Sequence, residues 1–275
     1  MKQKRLGLVA LLLFVVVSGF AARVDTIMVE SPSMNKKIET LVIVPDMAID
    51  HKQSCPVVYL LHGYSGNAYS WMKIKPNLPN IADEKGLIFV CPNAQNSWYW
   101  DSPKNSDFRY ETFVSSELIT YIDRTYSTIP NKKGRAITGL SMGGHGALFI
   151  GMRHSDLFAA IGSTSGGVDI RPFPLNWEMA KQLGEYATNR KVWDEHTVVN
   201  QLDRIINGDV AIIVDCGEDD FFLNVNKDLH HRLVGRKIDH DFILRPGTHN
   251  AAYWSNSIDY QILFFRKVFT SALNN

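Results

Sequence analysis

The chain has 275 residues, 45% of them hydrophobic, with 29 basic and 28 acidic side chains and a net charge of +1. A chain of this length and apolar content can bury a large core within one domain. No basic cluster follows residue 5, which argues against nucleic acid or an acidic polymer as a partner recognised by charge.

The N-terminus has the composition of a signal peptide. Basic residues precede an apolar run from Leu6 to Val17, and small residues follow up to Ala21. The apolar run is short for a membrane span. We therefore expect residues 1–21 to be removed, leaving a periplasmic or secreted protein with no stable membrane association. The alternative is an uncleaved anchor.

Apolar runs along the chain predict strands. Val24 to Glu30 and Ile38 to Pro45 alternate apolar and polar residues, which indicates an opening antiparallel pair. The later runs are almost continuously apolar, as in strands buried on both faces. These runs are Pro56 to Gly63, Leu87 to Val90, Arg135 to Thr138, Phe158 to Gly162, Val210 to Asp215 and the less apolar His240 to Leu244.

Helical patterns lie between these strands, over Glu111 to Tyr126, Gly144 to Arg153, Val225 to Gly235 and Tyr253 to Leu273. Strands that alternate with helices favour an α/β fold with a mostly parallel sheet covered on both faces. We expect one catalytic domain over residues 22–275. The stretch around 168–209 carries prolines and helical pieces, and it predicts a helical insertion that shapes the substrate pocket.

The three cysteines are predicted to be unpaired. Cys55 begins a predicted strand, whereas Cys91 and Cys216 end two others. In a parallel sheet, Cys55 would therefore lie at the opposite edge, too far away for a disulfide. Because no Cys/His cluster has the spacing of metal ligands, we expect no metal site.

Gly139-Leu140-Ser141-Met142-Gly143 matches the G-x-S-x-G nucleophile elbow. In that motif a strand turns sharply into a helix, and glycines on both sides let the backbone pass without Cβ clashes. The serine hydroxyl is then exposed above the sheet, and the Met142 N–H at the helix start can donate to an oxyanion. A plain glycine-rich turn is the alternative, but the strand and helix around the motif stand in the required order.

Residues that follow the parallel strands should meet at one crevice, because ligands bind beyond the carboxyl ends of such strands. His249 follows the last predicted strand and is the predicted base that takes the Ser141 proton. Acids follow the strand that ends at Asp215, and one of them should orient His249. Asp215, Glu218, Asp219 and Asp220 are all nearby, but Asp215 is still on the strand, and spacing alone cannot separate Asp219 from Asp220 on the following loop.

The loop after the first buried parallel strand carries His62, Gly63 and Tyr64. Gly63 allows close approach of a ligand to the backbone, so the Tyr64 N–H is the predicted second oxyanion donor. A plain β-turn would contain the same glycine. His62 and Gly63 are further candidates for contact with the substrate.

Trp98, Tyr99 and Trp100 follow a strand end and could form an aromatic wall for a phenolic or sugar ring. A packed lid is the alternative for these three aromatic residues.

Several motifs, in this order, resemble the esterase D family of α/β-hydrolases. They are Leu60 to Asn67, Asn96 to Tyr99, Gly139 to Gly144, Cys216 to Phe221 and Gly247 to Trp254. The resemblance covers nearly all of the mature chain. It implies a Ser–Asp–His triad whose acid lies three residues after the loop glycine, which here assigns Asp220. Asn250-Ala251-Ala252 departs from relatives that carry an acidic residue and a tryptophan there, which leaves the shape of the pocket open.

The expected function is that of an exported serine carboxylic-ester hydrolase that forms an acyl-enzyme and needs no cofactor. By the resemblance and the predicted export, its substrates would be small esters or esterified polysaccharide, with feruloyl or acetyl groups on plant cell walls. The alternatives are a general short-chain, tributyrin-type esterase, an acyltransferase, and a carbohydrate-binding protein without catalysis. The predicted export argues against hydrolysis of S-formylglutathione, which is a cytosolic reaction.

Overall fold

A computed structural model describes residues 22–274. The predicted signal peptide, residues 1–21, lies outside the described residues. The strands of the described part are β1 (Arg23–Ser31), β2 (Lys36–Val44), β3 (Val57–Leu61), β4 (Ile88–Pro92), β5 (Arg135–Gly139), β6 (Ala160–Thr164), β7 (Ala211–Gly217) and β8 (Asp241–Arg245).

These strands form one sheet in the order β1-β2-β4-β3-β5-β6-β7-β8. β1 pairs antiparallel with β2, and β2 pairs antiparallel with β4. Every other pair in this sheet is parallel. The predicted mostly parallel sheet with an antiparallel opening pair is therefore confirmed. The carboxyl ends of β3 to β8 all lie at one edge, which collects the loops after these strands.

The α-helices of the described part are α1 (Ser70–Ile74), α2 (Leu78–Lys85), α3 (Tyr110–Thr112), α4 (Ile119–Thr125), α5 (Met142–Arg153), α6 (Met179–Leu183), α7 (Arg190–Glu195), α8 (Leu223–Gly235) and α9 (Ala251–Asn274). A π-helical stretch, Phe113–Leu118, joins α3 to α4. The chain between β6 and β7 holds α6, α7 and two short 3-10 turns, and it forms no strand.

The helices cover both faces of the sheet, because alternate residues of each central strand point in opposite directions. In β3, Val57, Tyr59 and Leu61 pack into the apolar layer that includes α5 and α8. Val58 and Leu60 pack into the opposite layer, with α2 and α9. This two-faced burial explains the continuous apolar run of the strand.

The cysteines of the chain were predicted to be unpaired. Within the described residues, Cys55, Cys91 and Cys216 are free thiols, as predicted, and all three are buried. Burial raises the pKa of Cys55 to about 11, which keeps this thiol protonated and unreactive at neutral pH.

Between residues 22 and 274, no helix combines the length and the apolar character that a membrane crossing requires.

Candidate active site

Ser141 occupies the sharp turn between β5 and α5, with φ 55° and ψ −117°. Its backbone N–H donates to the Thr164 carbonyl at 2.9 Å, which fixes the turn against β6. A Cβ at Gly143 would lie 2.2 Å from the Leu61 carbonyl oxygen. The glycine therefore lets α5 start directly beside β3, and the strained conformation presents the Ser141 hydroxyl at the sheet edge.

His249 lies in the loop between β8 and α9, and its Nε2 is 2.9 Å from Ser141 Oγ. Its Nδ1 is 2.9 Å from Asp220 Oδ2 in the loop after β7. Because the buried carboxylate only accepts, Nδ1 carries the proton and Nε2 is free to accept from Ser141. The arrangement can move the serine proton to the imidazole while Asp220 stabilises the resulting charge.

The structure separates Asp220 from the other acids. Asp220 is buried, and its Oδ1 accepts a hydrogen bond from the Phe222 N–H at 2.8 Å, which turns the carboxylate inward. Asp215 instead accepts from Arg245 Nη2 at 2.6 Å. Glu218 and Asp219 are exposed. Asp220 is thus the acid that contacts His249.

The backbone N–H groups of Met142 and Tyr64 are the predicted oxyanion donors. Met142 is the first residue of α5, where an N–H has no intrahelical acceptor. Among the described residues, neither the Met142 nor the Tyr64 N–H donates to a protein acceptor. The next N–H, that of Ser65, is fixed to Asn96 Oδ1 at 2.9 Å. Both predicted oxyanion donors are therefore free to donate, and Tyr64 lines the same crevice as Ser141.

His62 was predicted to contact the substrate, but the structure places its ring in the core. Its Nδ1 donates to the Gly63 carbonyl at 2.7 Å, and its Nε2 accepts from the Ala94 N–H at 2.9 Å. Burial lowers the pKa of His62 to about 4, so the ring stays neutral and keeps both hydrogen bonds. The side chain holds the Tyr64 loop in place and does not reach the crevice, whereas Gly63 does line it.

The predicted aromatic wall also requires correction. Trp98, Tyr99 and Trp100 are at most 1% exposed and belong to the core. Their burial agrees better with the alternative of packed aromatic residues than with an aromatic wall for the substrate. Trp98 and Trp100 stack on each other with ring centroids 5.6 Å apart. The Trp98 indole N–H donates to the Trp177 carbonyl at 3.4 Å. These aromatic residues pack beneath the site and support the residues that line it.

The crevice above Ser141 and His249 has a volume of about 390 Å³. Its lining residues come from the loops after β3, β5, β7 and β8 and from α1, α9 and the segment between β6 and β7. They are Gly63, Tyr64, Ser65, Gly66, Ser70, Ile74, Leu140, Ser141, Trp177, Phe221, His249 and Trp254.

Trp177, Phe221 and Trp254 line the crevice but were not among the site residues predicted from the sequence. Phe221 directly follows Asp220, and Trp254 follows His249 by little more than one helical turn. Their proximity in the sequence to Asp220 and His249 could have identified Phe221 and Trp254 as site residues. Trp177 lies in the predicted insertion, far from any motif. Larger hollows of about 990 and 630 Å³ lie elsewhere, against α9, and contain neither Ser141 nor His249.

Comparison with known proteins places the chain in a family. The model of the Esterase family matches residues 31–265. An acetyl esterase of Caldicellulosiruptor saccharolyticus is 27% identical over 260 residues, which cover 86% of this chain and 96% of that one.

Solved structures give the same result. A ferulic acid esterase is 30% identical with a TM-score of 0.78, covering 91% of this chain and 99% of that one. The fold is shared with a fluorophosphonate-binding serine hydrolase of Staphylococcus aureus, which is 21% identical with a TM-score of 0.78 over 89% of this chain and 98% of that one. The chain therefore belongs to the Esterase family, has the α/β-hydrolase fold of the esterase D group, and is a carboxylic-ester hydrolase.

Proposed function

We propose that this esterase works through an acyl-enzyme on Ser141, with His249 as general base and acid and Asp220 as the residue that orients His249. The observation that carries the proposal is the hydrogen-bonded chain from Ser141 Oγ through His249 to Asp220, with both contacts at 2.9 Å. The Met142 and Tyr64 N–H groups are the proposed oxyanion donors.

In the first half-reaction, Ser141 Oγ attacks the ester carbonyl carbon and its proton passes to His249 Nε2. The carbonyl oxygen becomes an oxyanion that the two N–H groups stabilise. As the C–O bond to the alcohol breaks, His249 gives the proton to the departing oxygen. In the second half-reaction, water takes the place of the alcohol, and the carboxylic acid leaves while Ser141 regains its proton.

The proposed substrates are feruloyl or acetyl esters of plant cell-wall polysaccharide. The support comes from two of the relatives, an acetyl esterase and a ferulic acid esterase. A second support is the crevice, in which Trp177, Phe221 and Trp254 present aromatic surface close to the nucleophile. Such surface suits a phenolic acyl group.

A general short-chain esterase is the second candidate. The specific observation in its favour is the modest volume of the crevice, about 390 Å³, which lies toward the small end for ligand pockets. A butyryl or acetyl group needs less space than a feruloyl group. The short-chain candidate shares its chemistry with the feruloyl version of the first proposal and differs from it in the acyl group that fits the crevice.

The test compares p-nitrophenyl acetate, p-nitrophenyl butyrate and methyl ferulate as substrates of the mature chain and of Ser141→Ala. We expect the wild type to hydrolyse these esters and Ser141→Ala to have lost this activity. Ser106→Ala, which replaces an exposed serine, is the matched control and should retain the activity of the wild type. More efficient hydrolysis of methyl ferulate than of the butyrate ester would support the feruloyl proposal. The reverse order would support the short-chain candidate. Equal rates in the wild type and Ser141→Ala would contradict the serine mechanism.

Export is a separate proposal, based on the basic and apolar residues before Ala22. N-terminal sequencing of the protein recovered outside the cytoplasm should begin near Ala22. An exported protein that still begins with Met1 would contradict cleavage, and a protein found only in the cytoplasm would contradict export.

A further inference from the structure

Three aromatic rings form a stack that begins at the proposed base. The Phe221 ring lies over His249, with centroids 4.2 Å apart and an interplanar angle of 37°. Trp177 stacks on Phe221 at 5.7 Å and 22°. Phe221 thus lies between the catalytic imidazole and the segment that joins β6 to β7.

This position needs a reason beyond burial, because Phe221 is 53% exposed. The neighbouring Phe222 is buried and already contributes to the core beside the same loop. Trp177, which holds Phe221 from the other side, has a left-handed backbone with φ 48°, uncommon for a tryptophan. Phe221 is therefore a largely exposed apolar side chain that contacts His249, and the half-buried Trp177 packs against it.

The charge on His249 changes during the reaction. When Nε2 takes the Ser141 proton, the imidazole becomes a cation, and the face of an aromatic ring attracts a cation at this range. Asp220 is the charged group in contact with the ring. Glu218 and Asp219 on the same loop are exposed, α9 presents the uncharged Trp254, and Glu178 from the β6–β7 segment is engaged by Tyr64 and Lys181. Phe221 therefore adds an attraction that no second carboxylate supplies.

We propose that Phe221 is a positioning residue for His249, whose ring face stabilises the imidazolium formed during acyl transfer while the stack on Trp177 holds that face in place. The proposal rests on the proposed role of His249 as the base. In this proposal, Phe221 affects hydrolysis through its contact with His249 and not through contact with the acyl group of the substrate.

The experiment measures kcat and KM for p-nitrophenyl acetate across pH in the wild type, Phe221→Leu and Phe221→Trp. The small acetyl group limits direct contact between the substrate and the wall of the crevice. We expect Phe221→Leu to lower kcat about fivefold with little change in KM, in line with the strength of a partly exposed cation–π contact. The acid limb of kcat/KM should move about half a pH unit toward lower pH, because the protonated base is stabilised less.

Phe221→Trp keeps a ring face over His249 and should restore kcat and the position of the acid limb. Ile206→Ala removes a more exposed apolar side chain that lies away from His249 and is the control, with kcat and the position of the acid limb unchanged. If Phe221→Leu raises KM and leaves the acid limb where it is, Phe221 is only a wall of the crevice and the proposal is overturned. A wild type that is inactive, or as active as Ser141→Ala, would instead overturn the proposed serine mechanism.

Discussion

The Tyr64 hydroxyl donates to Glu178 Oε2 at 3.0 Å, across 114 positions of the sequence. This contact joins the loop after β3 to the segment between β6 and β7. Glu178 also pairs with Lys181 and accepts from Asn96 Nδ2 at 3.4 Å, and Asn96 in turn fixes the Ser65 N–H. The proposed oxyanion donor therefore lies in a loop that is held by the Tyr64 hydroxyl and by the next backbone N–H, that of Ser65.

Tyr64→Phe tests whether this contact positions the oxyanion donor. The variant keeps the backbone N–H and the ring but loses the hydrogen bond to Glu178. Because the contact is partly exposed, we expect kcat for p-nitrophenyl acetate to fall only about two- to fivefold, with KM nearly constant. Tyr260→Phe, at an exposed tyrosine on α9, is the control for loss of a hydroxyl. An unchanged kcat in Tyr64→Phe would show that the loop is held without Glu178.

Asp220→Asn tests the identity of the acid. An asparagine of the same size can donate to His249 Nδ1 and so favour the wrong tautomer of the ring, which leaves Nε2 protonated and unable to accept from Ser141. We expect kcat to fall by a factor of about a thousand or more. Asp219→Asn changes an exposed neighbour and should retain activity. The opposite ranking of the two variants would contradict the assignment of Asp220.

Much of this architecture could be predicted because its signals are local in the sequence. The buried strands appear as continuous apolar runs, and the G-x-S-x-G pattern places Ser141 at a strand-to-helix turn. The convergence of Ser141 and His249 follows from the parallel sheet, since the ends of β5 and β8 lie at one edge. Residues alone could not separate Asp219 from Asp220, because both follow β7. The inward turn of Asp220 depends on the Phe222 N–H, which spacing does not reveal.

The lining of the crevice could not be predicted for a different reason. Trp98 and Tyr99 adopt left-handed backbone conformations, with φ 56° and 62°, and the loop turns their rings beneath the site. Trp177 reaches the crevice from a segment with no recognisable motif, and its ring is placed by long-range packing on Phe221 and Phe222. Contacts of this kind depend on the tertiary fold and leave no periodic pattern.

Gly143→Ala should disrupt the elbow. The added Cβ would lie 2.2 Å from the Leu61 carbonyl oxygen, and a backbone atom of a central strand cannot move aside as a side chain can. We expect a loss of about 3 kcal/mol or more in the free energy of unfolding, together with loss of activity. Gly235→Ala is the matched control, because a Cβ added there, at the end of α8, would have no neighbour within 4 Å. It should be neutral or stabilise by about 0.5–1 kcal/mol, and urea unfolding of both variants measures the difference.

Two buried histidines should make stability depend on pH. Burial lowers the pKa of His145 to about 3 and that of His62 to about 4, from 6.5. As the pH falls below about 6.5, the unfolded chain takes up protons that the folded chain does not bind, so the folded state loses stability. The stability associated with the two neutral rings is fully present above about pH 6.5. It is lost progressively as the pH falls toward 4 for His62 and toward 3 for His145. At about pH 5.5 each histidine should cost about 1.4 kcal/mol relative to pH 7.5.

His145→Gln isolates one of these contributions. The His145 ring accepts from the Trp100 indole N–H at 2.8 Å and donates to the Gly167 carbonyl at 2.8 Å, and a glutamine offers an acceptor and a donor without titrating. Urea unfolding at about pH 7.5 and 5.5 should show a loss of stability smaller by about 1.4 kcal/mol in this variant than in the wild type. Comparing the two losses cancels the contributions of the other titrating groups. An equal loss in the wild type and His145→Gln would mean that His145 becomes protonated in the folded protein, and that burial does not keep it neutral.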